Sequence, residues 1–178
     1  KRVTTSDYAS ASYYYVNKSS LPKVYGGFNT SLSWKGFDLS AIFAYSIGGY
    51  IYNRDITMIL HNGSLEGRDW STEILKRWTP ENRYTDVPAL STTSNNWNSA
   101  STRFLQNNSY MRLKNLTLSY DLPKQWISKL ALSSVQVFVQ GDNLFTIHRN
   151  QGLDPEQGIT GITYYRYPAM RTISGGIN

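Results

Sequence analysis

Apolar and polar residues alternate over long runs of this chain, and a period of two commits those runs to β-strands. From Val24 to Trp34, one face carries Val24, Phe28, Thr30, Leu32 and Trp34, and the other Tyr25, Asn29, Ser31 and Ser33. Past Lys35-Gly36, Phe37, Leu39, Ala41, Phe43, Tyr45 and Ile47 oppose Asp38, Ser40, Ala44 and Ser46. Two alternating runs joined by a tight Gly-containing turn predict a β-hairpin. A third run, about Phe104 to Tyr120, changes parity on the way. Met111 and Leu113 alternate with Arg112 and Lys114, then Leu116, Leu118 and Tyr120 with Asn115, Thr117 and Ser119. The slip near Lys114-Asn115 predicts a β-bulge, because one extra residue moves every later side chain to the other face. A fourth run has Val135, Val137 and Val139 against Gln136 and Gln140, continuing to about Ile147. A fifth, after Pro168, sets Arg171, Ile173, Gly175 and Ile177 against Thr172, Ser174 and Asn178.

The connections carry as much information as the strands. In order they are a two-residue turn, a loop of about fifty residues, a turn of about thirteen and a loop of about twenty. Short and long alternate, as in outer-membrane barrels with short periplasmic turns and long extracellular loops. A soluble sandwich has no reason to segregate its long loops, since both ends meet water. The longest loop is expected to hold a short helix capped by Asp69, with Trp70, Ile74 and Trp78 along one face and Thr79-Pro80 ending it. Pro123 to Leu130 reads as a second short amphipathic helix, with Trp126, Ile127 and Leu130 on its apolar side.

Composition supports a membrane barrel over a soluble enzyme. Charged residues make up 17% and aromatics 14%, led by fourteen tyrosines; soluble domains average about a quarter charged. No stretch approaches the roughly 20 apolar residues of a transmembrane helix, the longest apolar segment, Ala41 to Tyr52, being broken by Ser46 and Gly48-Gly49. No apolar run follows Lys1-Arg2-Val3-Thr4-Thr5, so no signal peptide is read there. Cysteine is absent, which removes disulfides, thiolate nucleophiles and cysteine metal sites together. The net charge of +6 is spread along the chain, with Lys76-Arg77 and Lys124…Lys129 the nearest approach to clusters. No basic stripe interleaved with aromatics exists, so nucleic acid is not an expected partner.

Beyond periodicity, a series of motifs runs in order: Leu21-Pro22-Lys23-Val24-Tyr25-Gly26-Gly27-Phe28-Asn29; Trp34-Lys35-Gly36-Phe37-Asp38-Leu39-Ser40; Ser109-Tyr110-Met111-Arg112-Leu113-Lys114-Asn115-Leu116-Thr117-Leu118-Ser119-Tyr120 with Leu122-Pro123; Val137-Phe138-Val139-Gln140-Gly141-Asp142-Asn143-Leu144-Phe145-Thr146; Gly152-Leu153-Asp154-Pro155-Glu156; Tyr167-Pro168 and Arg171-Thr172. From about Leu21 onward this resembles the C-terminal portion of SusC/RagA-type TonB-linked outer-membrane proteins of the Bacteroidetes. The resemblance implies a fold class: all-β, about five C-terminal antiparallel strands of a large transmembrane barrel with long extracellular loops. On that view residues 1–178 belong to the barrel, while the N-terminal plug, the TonB-contacting segment and the earlier strands lie outside it. It further implies an outer-membrane transporter for energy-coupled uptake of oligosaccharides or peptides. Its partners would be a SusD-like surface lipoprotein as lid, TonB through the part outside this chain, and the lipid bilayer. Five strands cannot close a barrel, and an open edge in lipid leaves backbone groups unpaired at several kcal/mol each. Plugged transporters of this size use about 22 strands.

No catalytic constellation accompanies the strands, so the chain is not expected to be an enzyme. His61 and His148 lack metal-site spacing. No Gly-x-Ser-x-Gly elbow occurs, and Gly26-Gly27 and Gly48-Gly49 lack a phosphate-loop context, so no cofactor is expected. Glu66/Asp69 and Asp154/Glu156 could be read as glycosidase carboxylates, but Asp154-Pro155-Glu156 belongs to a loop motif, where a loop-folding role fits better. The loop tryptophans Trp70, Trp78 and Trp97 are the candidates for contacting substrate or partner. The competing reading is a soluble all-β carbohydrate-binding or adhesin module of a surface protein. The two differ in where Phe37, Leu39, Phe43, Val135, Val137 and Val139 point: toward lipid in a barrel, into a dry core in a sandwich.

Overall fold

The computed structural model describes every residue except 1–6, 64, 92, 94–95, 129–131, 153, 157, 159 and 164. In chain order the elements are β1 (Val24–Trp34), β2 (Phe37–Ile47), β3 (Tyr50–Tyr52), α1 (Arg54–Ile59), β4 (Leu105–Asn107), β5 (Tyr110–Asp121), α2 (Lys124–Ile127), β6 (Gln136–His148) and β7 (Thr172–Ile177). Two compact units result, each assembled from separate stretches. One combines 21–49, 107–156 and 167–178; the other combines 1–20, 50–106 and 157–166.

The first unit is a five-stranded antiparallel sheet in the order β1-β2-β5-β6-β7. Lys35 and Gly36 turn the chain between β1 and β2, both with positive φ (47° and 87°). That is the conformation of the tight primed turn that matches strand twist, and Gly adopts it without cost. The expected bulge is present: pairing with β2 and with β6 skips Lys114 between Leu113 and Asn115. Opposite it, β6 carries a compensating irregularity at Asn143, whose φ is 52°.

Because directly paired residues share a face, the register sorts the sheet into two surfaces. One carries Phe28, Leu32 and Trp34 of β1, then Phe37, Leu39, Phe43 and Tyr45 of β2. Across the sheet it continues through Met111, Leu116, Leu118 and Tyr120 of β5, Val137, Val139, Phe145 and Ile147 of β6, and Ile173 and Ile177 of β7. Rings pair along it, Phe28 on Phe43 with centroids 4.7 Å apart and Phe37 on Tyr120 at 4.4 Å. This apolar surface is exposed: Leu32 is 67%, Val139 56% and Ile173 77% accessible. A sandwich would bury these residues under a second sheet. Eleven residues of β2 at about 3.3 Å each, tilted about 40°, rise roughly 25 Å, the height of an outer-membrane barrel's apolar band. Trp34, Phe37 and Tyr120 gather beside the short turn, where an aromatic girdle belongs.

The opposite surface is polar and internally bonded. Asn115 Nδ2 donates to Asp142 (2.8 Å), Thr117 Oγ1 to Asn115 (2.9 Å) and Gln136 Nε2 to Asp121 (2.9 Å), and Ser33 bonds Asp38. The paired glycines at the start of β1 serve close packing, as expected. A methyl group on Gly27 would lie 2.8 Å from the Phe43 carbonyl oxygen, and on Gly26 3.1 Å from the Tyr45 hydroxyl.

The second unit is loop-built. β3 pairs with β4, so the predicted third run divides here: 105–107 serves this small sheet and 110–121 the large one. Helix α1, absent from the sequence reading, is capped by Asn53, whose Oδ1 accepts from the Ile56 amide (3.1 Å). Thr163 bonds its first turn, Oγ1 accepting from the Arg54 amide at 3.0 Å. Ile51, Phe104, Asn53, His61 and Thr163 form the fully buried centre; three of these five are polar, so hydrogen bonds organise it as much as apolar contact. The helix expected at Asp69–Trp78 is a five-residue 3-10 segment, Thr72–Lys76, capped by Ser71. At three residues per turn Ile74 alone turns inward, and Trp70 and Trp78 stay 44% exposed. α2 lies within the predicted 123–130 segment and buries Ile127 while Trp126 remains outside; Leu130, expected on the same side, lies outside the described residues.

Candidate functional site

β5 and β6 present a charged cluster on the polar surface. Arg112, paired across the strands with Ala44 and Thr146, is 3% exposed. Its Nε donates to Thr146 Oγ1 (2.9 Å) and its Nη1 to Glu156 Oε2 (2.8 Å), while Nη2 binds Asp154 Oδ1. Lys114, the bulge residue, reaches the same Glu156 through Nζ (2.7 Å). The bulge places two cations two residues apart on one acceptor pair, which ordinary alternation also permits but without Lys114 being free of ladder pairing.

The acceptors come from the β6–β7 connection. Asp154 Oδ1 accepts the Glu156 amide (2.9 Å) and Oδ2 the Ala169 amide (2.7 Å). Burial raises the Asp154 pKa, but these two amides and the Arg112 guanidinium outweigh it and hold the carboxyl below its usual range. Asn108 Nδ2 donates to the Pro155 carbonyl (2.8 Å), and His148 Nδ1 bonds the Asn150 carbonyl (2.9 Å). Asp154, Pro155, Glu156 and Ala169 of the connection are thereby tied to the polar side of the sheet. Beside it lies a cavity of about 300 Å³, bordered by Arg112, His148, Asp154 and Arg171. Both carboxylates are engaged by cations, so the pair has the geometry of a latch and lacks a free acid or nucleophile. In sequence, Asp154-Pro155-Glu156 points to loop folding, and Arg112 and Lys114 stand as alternating residues within a strand motif, with no sign that they meet it. Their union depends on register, which motif reading does not supply.

The three tryptophans lie in the loop unit. Trp70 Nε1 donates to His61 Nδ1 (3.1 Å), which also accepts the Gly63 amide (3.3 Å). Trp97 Nε1 donates to the Leu60 carbonyl (2.6 Å), and Arg103 stacks over its ring, 3.4 Å from the centroid. Trp78 is held through its amide to the Val87 carbonyl (2.8 Å). His61 is a buried acceptor within this packing, and among the described residues no three His, Asp or Glu side chains gather as a metal site.

No family model matches the chain. It is 33% identical over 163 residues to TonB-dependent receptor P3 of Formosa agariphila, covering 85% of this chain and 16% of the receptor. It is 27% identical over 165 residues to TonB-dependent receptor SusC of Bacteroides thetaiotaomicron, covering 92% of this chain and 16% of SusC. The RagAB peptide importer, solved in closed-closed and open-open states, superposes with a TM-score of 0.82 in each, at 34% identity over 98% of this chain and 19% of that one. The chain thus spans about a sixth of the length of the curated relatives it matches. The two-faced sheet, the bulged β5 and these likenesses agree: over most of its length the chain matches one stretch of the SusC/RagA-type TonB-dependent receptors.

Proposed function

We propose that this chain forms part of the wall and outer loops of an outer-membrane transporter that takes up oligosaccharides or peptides, driven through TonB. Residues 1–178 supply C-terminal barrel strands, with the plug, the TonB contact and the other strands in the remainder of the receptor. A SusD-like lipoprotein serves as lid over the loops. The observation that carries this reading is the sheet itself, exposed and apolar on one side over roughly 25 Å and hydrogen-bonded and polar on the other. Such a surface pair suits lipid outside and a wet lumen inside. Related receptors support it: RagAB is described as a peptide importer and SusC as a TonB-dependent receptor. Trp70, Trp78 and Trp97 are the proposed contacts for substrate or lid. Deleting the receptor gene should abolish uptake of labelled oligopeptide or oligosaccharide and leave uptake of small porin substrates unchanged. Collapse of the inner-membrane proton gradient should have the same selective effect. Uptake that survives both would overturn the proposal.

A further inference from the structure

In the loop unit a cleft of about 420 Å³ opens between residues 8–16, Tyr52 and residues 100–105, within the size range of small-molecule sites, about 300–1,000 Å³. Its walls include the rings of Tyr8, Tyr13, Tyr14 and Tyr52 with Val16 and Leu105. Two of the rings are fixed. The Tyr8 hydroxyl donates to the Ala100 carbonyl (2.7 Å), and the Tyr52 hydroxyl bonds the backbone of Ser101. Tyr52 also meets Phe104 edge-on, centroids 6.2 Å apart. Each phenol thus has one bond within the protein that fixes its ring, and the ring faces remain open to the cleft. Tyr13 and Tyr14, 90% and 70% exposed, add ring faces at its mouth; tyrosine offers rigid contact area with little rotamer entropy to lose.

The chemistry of the lining selects the guest. Among the described residues that line it none is charged and none carries a side-chain amide, and its other side-chain polar groups are the hydroxyls of Ser12, Ser101, Thr102, Tyr13 and Tyr14. A charged group entering would be desolvated without a partner. A sugar carries a hydroxyl on nearly every carbon, and each one buried unmatched costs more than a hydrogen bond returns. A neutral ring or branched aliphatic group has no such demand and gains offset or edge contacts with the tyrosines. We infer that this cleft is a side-chain subsite that takes an apolar, preferably aromatic, residue of a peptide. The inference rests on the transport reading above for the peptide as substrate, but the cleft's selectivity is measurable without transport.

The probe is N-acetyl-phenylalanine amide, titrated into the full-length receptor in detergent and followed by saturation-transfer difference NMR, with N-acetyl-glutamine amide and maltotriose as comparators. Tyr14→Ala removes one wall, and Ala11→Trp fills the cleft; Tyr14 lies in exposed coil and Ala11 in a half-buried bend, both outside helix and strand. Saturation should reach the phenyl protons, affinity should fall about fivefold in Tyr14→Ala, and Ala11→Trp should abolish binding, while neither comparator gives a signal that Ala11→Trp removes. Absence of phenylalanine-amide binding, binding indifferent to both substitutions, or maltotriose binding that Ala11→Trp removes would each overturn the inference. A receptor that imports peptide yet fails here loses the cleft alone. One that binds here yet imports nothing loses the transport reading alone.

Discussion

Replacing Arg112 by Met isolates what the latch contributes. Arg112 and Asp154 are 3% and 7% exposed, so the substitution leaves a buried carboxylate without its cation. Removing one partner of a buried pair costs about 3–5 kcal/mol. Glu156 adds little to that, being 39% exposed and retaining Lys114. A large receptor would hide such a change in its global melting, so the readout should be local. The amides of Glu156 and Ala169 are bonded to Asp154, and their hydrogen exchange reports opening of this connection. At about 1.4 kcal/mol per tenfold, exchange should accelerate by roughly two to four orders of magnitude. Arg112→Met with Asp154→Asn removes the charge that lost its guanidinium and keeps one side-chain acceptor for the two amides, so protection should recover at one of them. Acceleration of less than about fivefold, near 1 kcal/mol, or a double variant no better protected than Arg112→Met, would refute the latch.

The sign of the pH response follows from Asp154, whose folded pKa lies below its unfolded value. Its contribution is complete above about pH 4 and is lost as pH falls through the folded pKa, so the protection factor at Ala169, exchange relative to the unfolded chain at the same pH, should be full at neutral pH and fall only in acid. Leu116→Arg, on the apolar surface opposite Ala41, should destabilise the barrel by about 2–4 kcal/mol. Thr117→Arg, on the polar surface, should cost far less, both read as the folded fraction in heat-modifiability gels. Gly27→Ala drives a Cβ against the Phe43 carbonyl, a backbone atom that cannot swing aside, and should cost about 1–3 kcal/mol. Gly26→Ala meets only the end of Tyr45 and should cost less in the same assay. Gly36→Val places a β-branched residue at φ 87° and should slow barrel assembly, measured as refolding into detergent micelles.

The large sheet was legible because period two survives whatever lies beyond each face. β1 and β2 and their turn match the predicted runs, and the parity change at Lys114 marked the bulge before any register was known. Helix α1 escaped because Arg54–Ile59, six residues long, is too short to show a helical period, and its cap, Asn53, is an ordinary loop residue in sequence. The Trp70/Ile74/Trp78 spacing misled because a 3-10 segment does not carry positions four apart on one face. Asp154-Pro155-Glu156 announced a folded loop but not its partner. That partner, Arg112, lies 42 residues away and is reached only through strand pairing. The tyrosine cleft brings residues 8–16 to residues 100–105, a closure that no local pattern encodes.

The central claim is that this chain is barrel wall in an outer membrane. Antibody raised to it, used on outer-membrane and soluble fractions of the source cells, tests that most directly. The account expects a detergent-extracted band several times larger than 20.3 kDa, confined to the outer membrane. A soluble species near 20.3 kDa would contradict it and return the chain to a free-standing β-module.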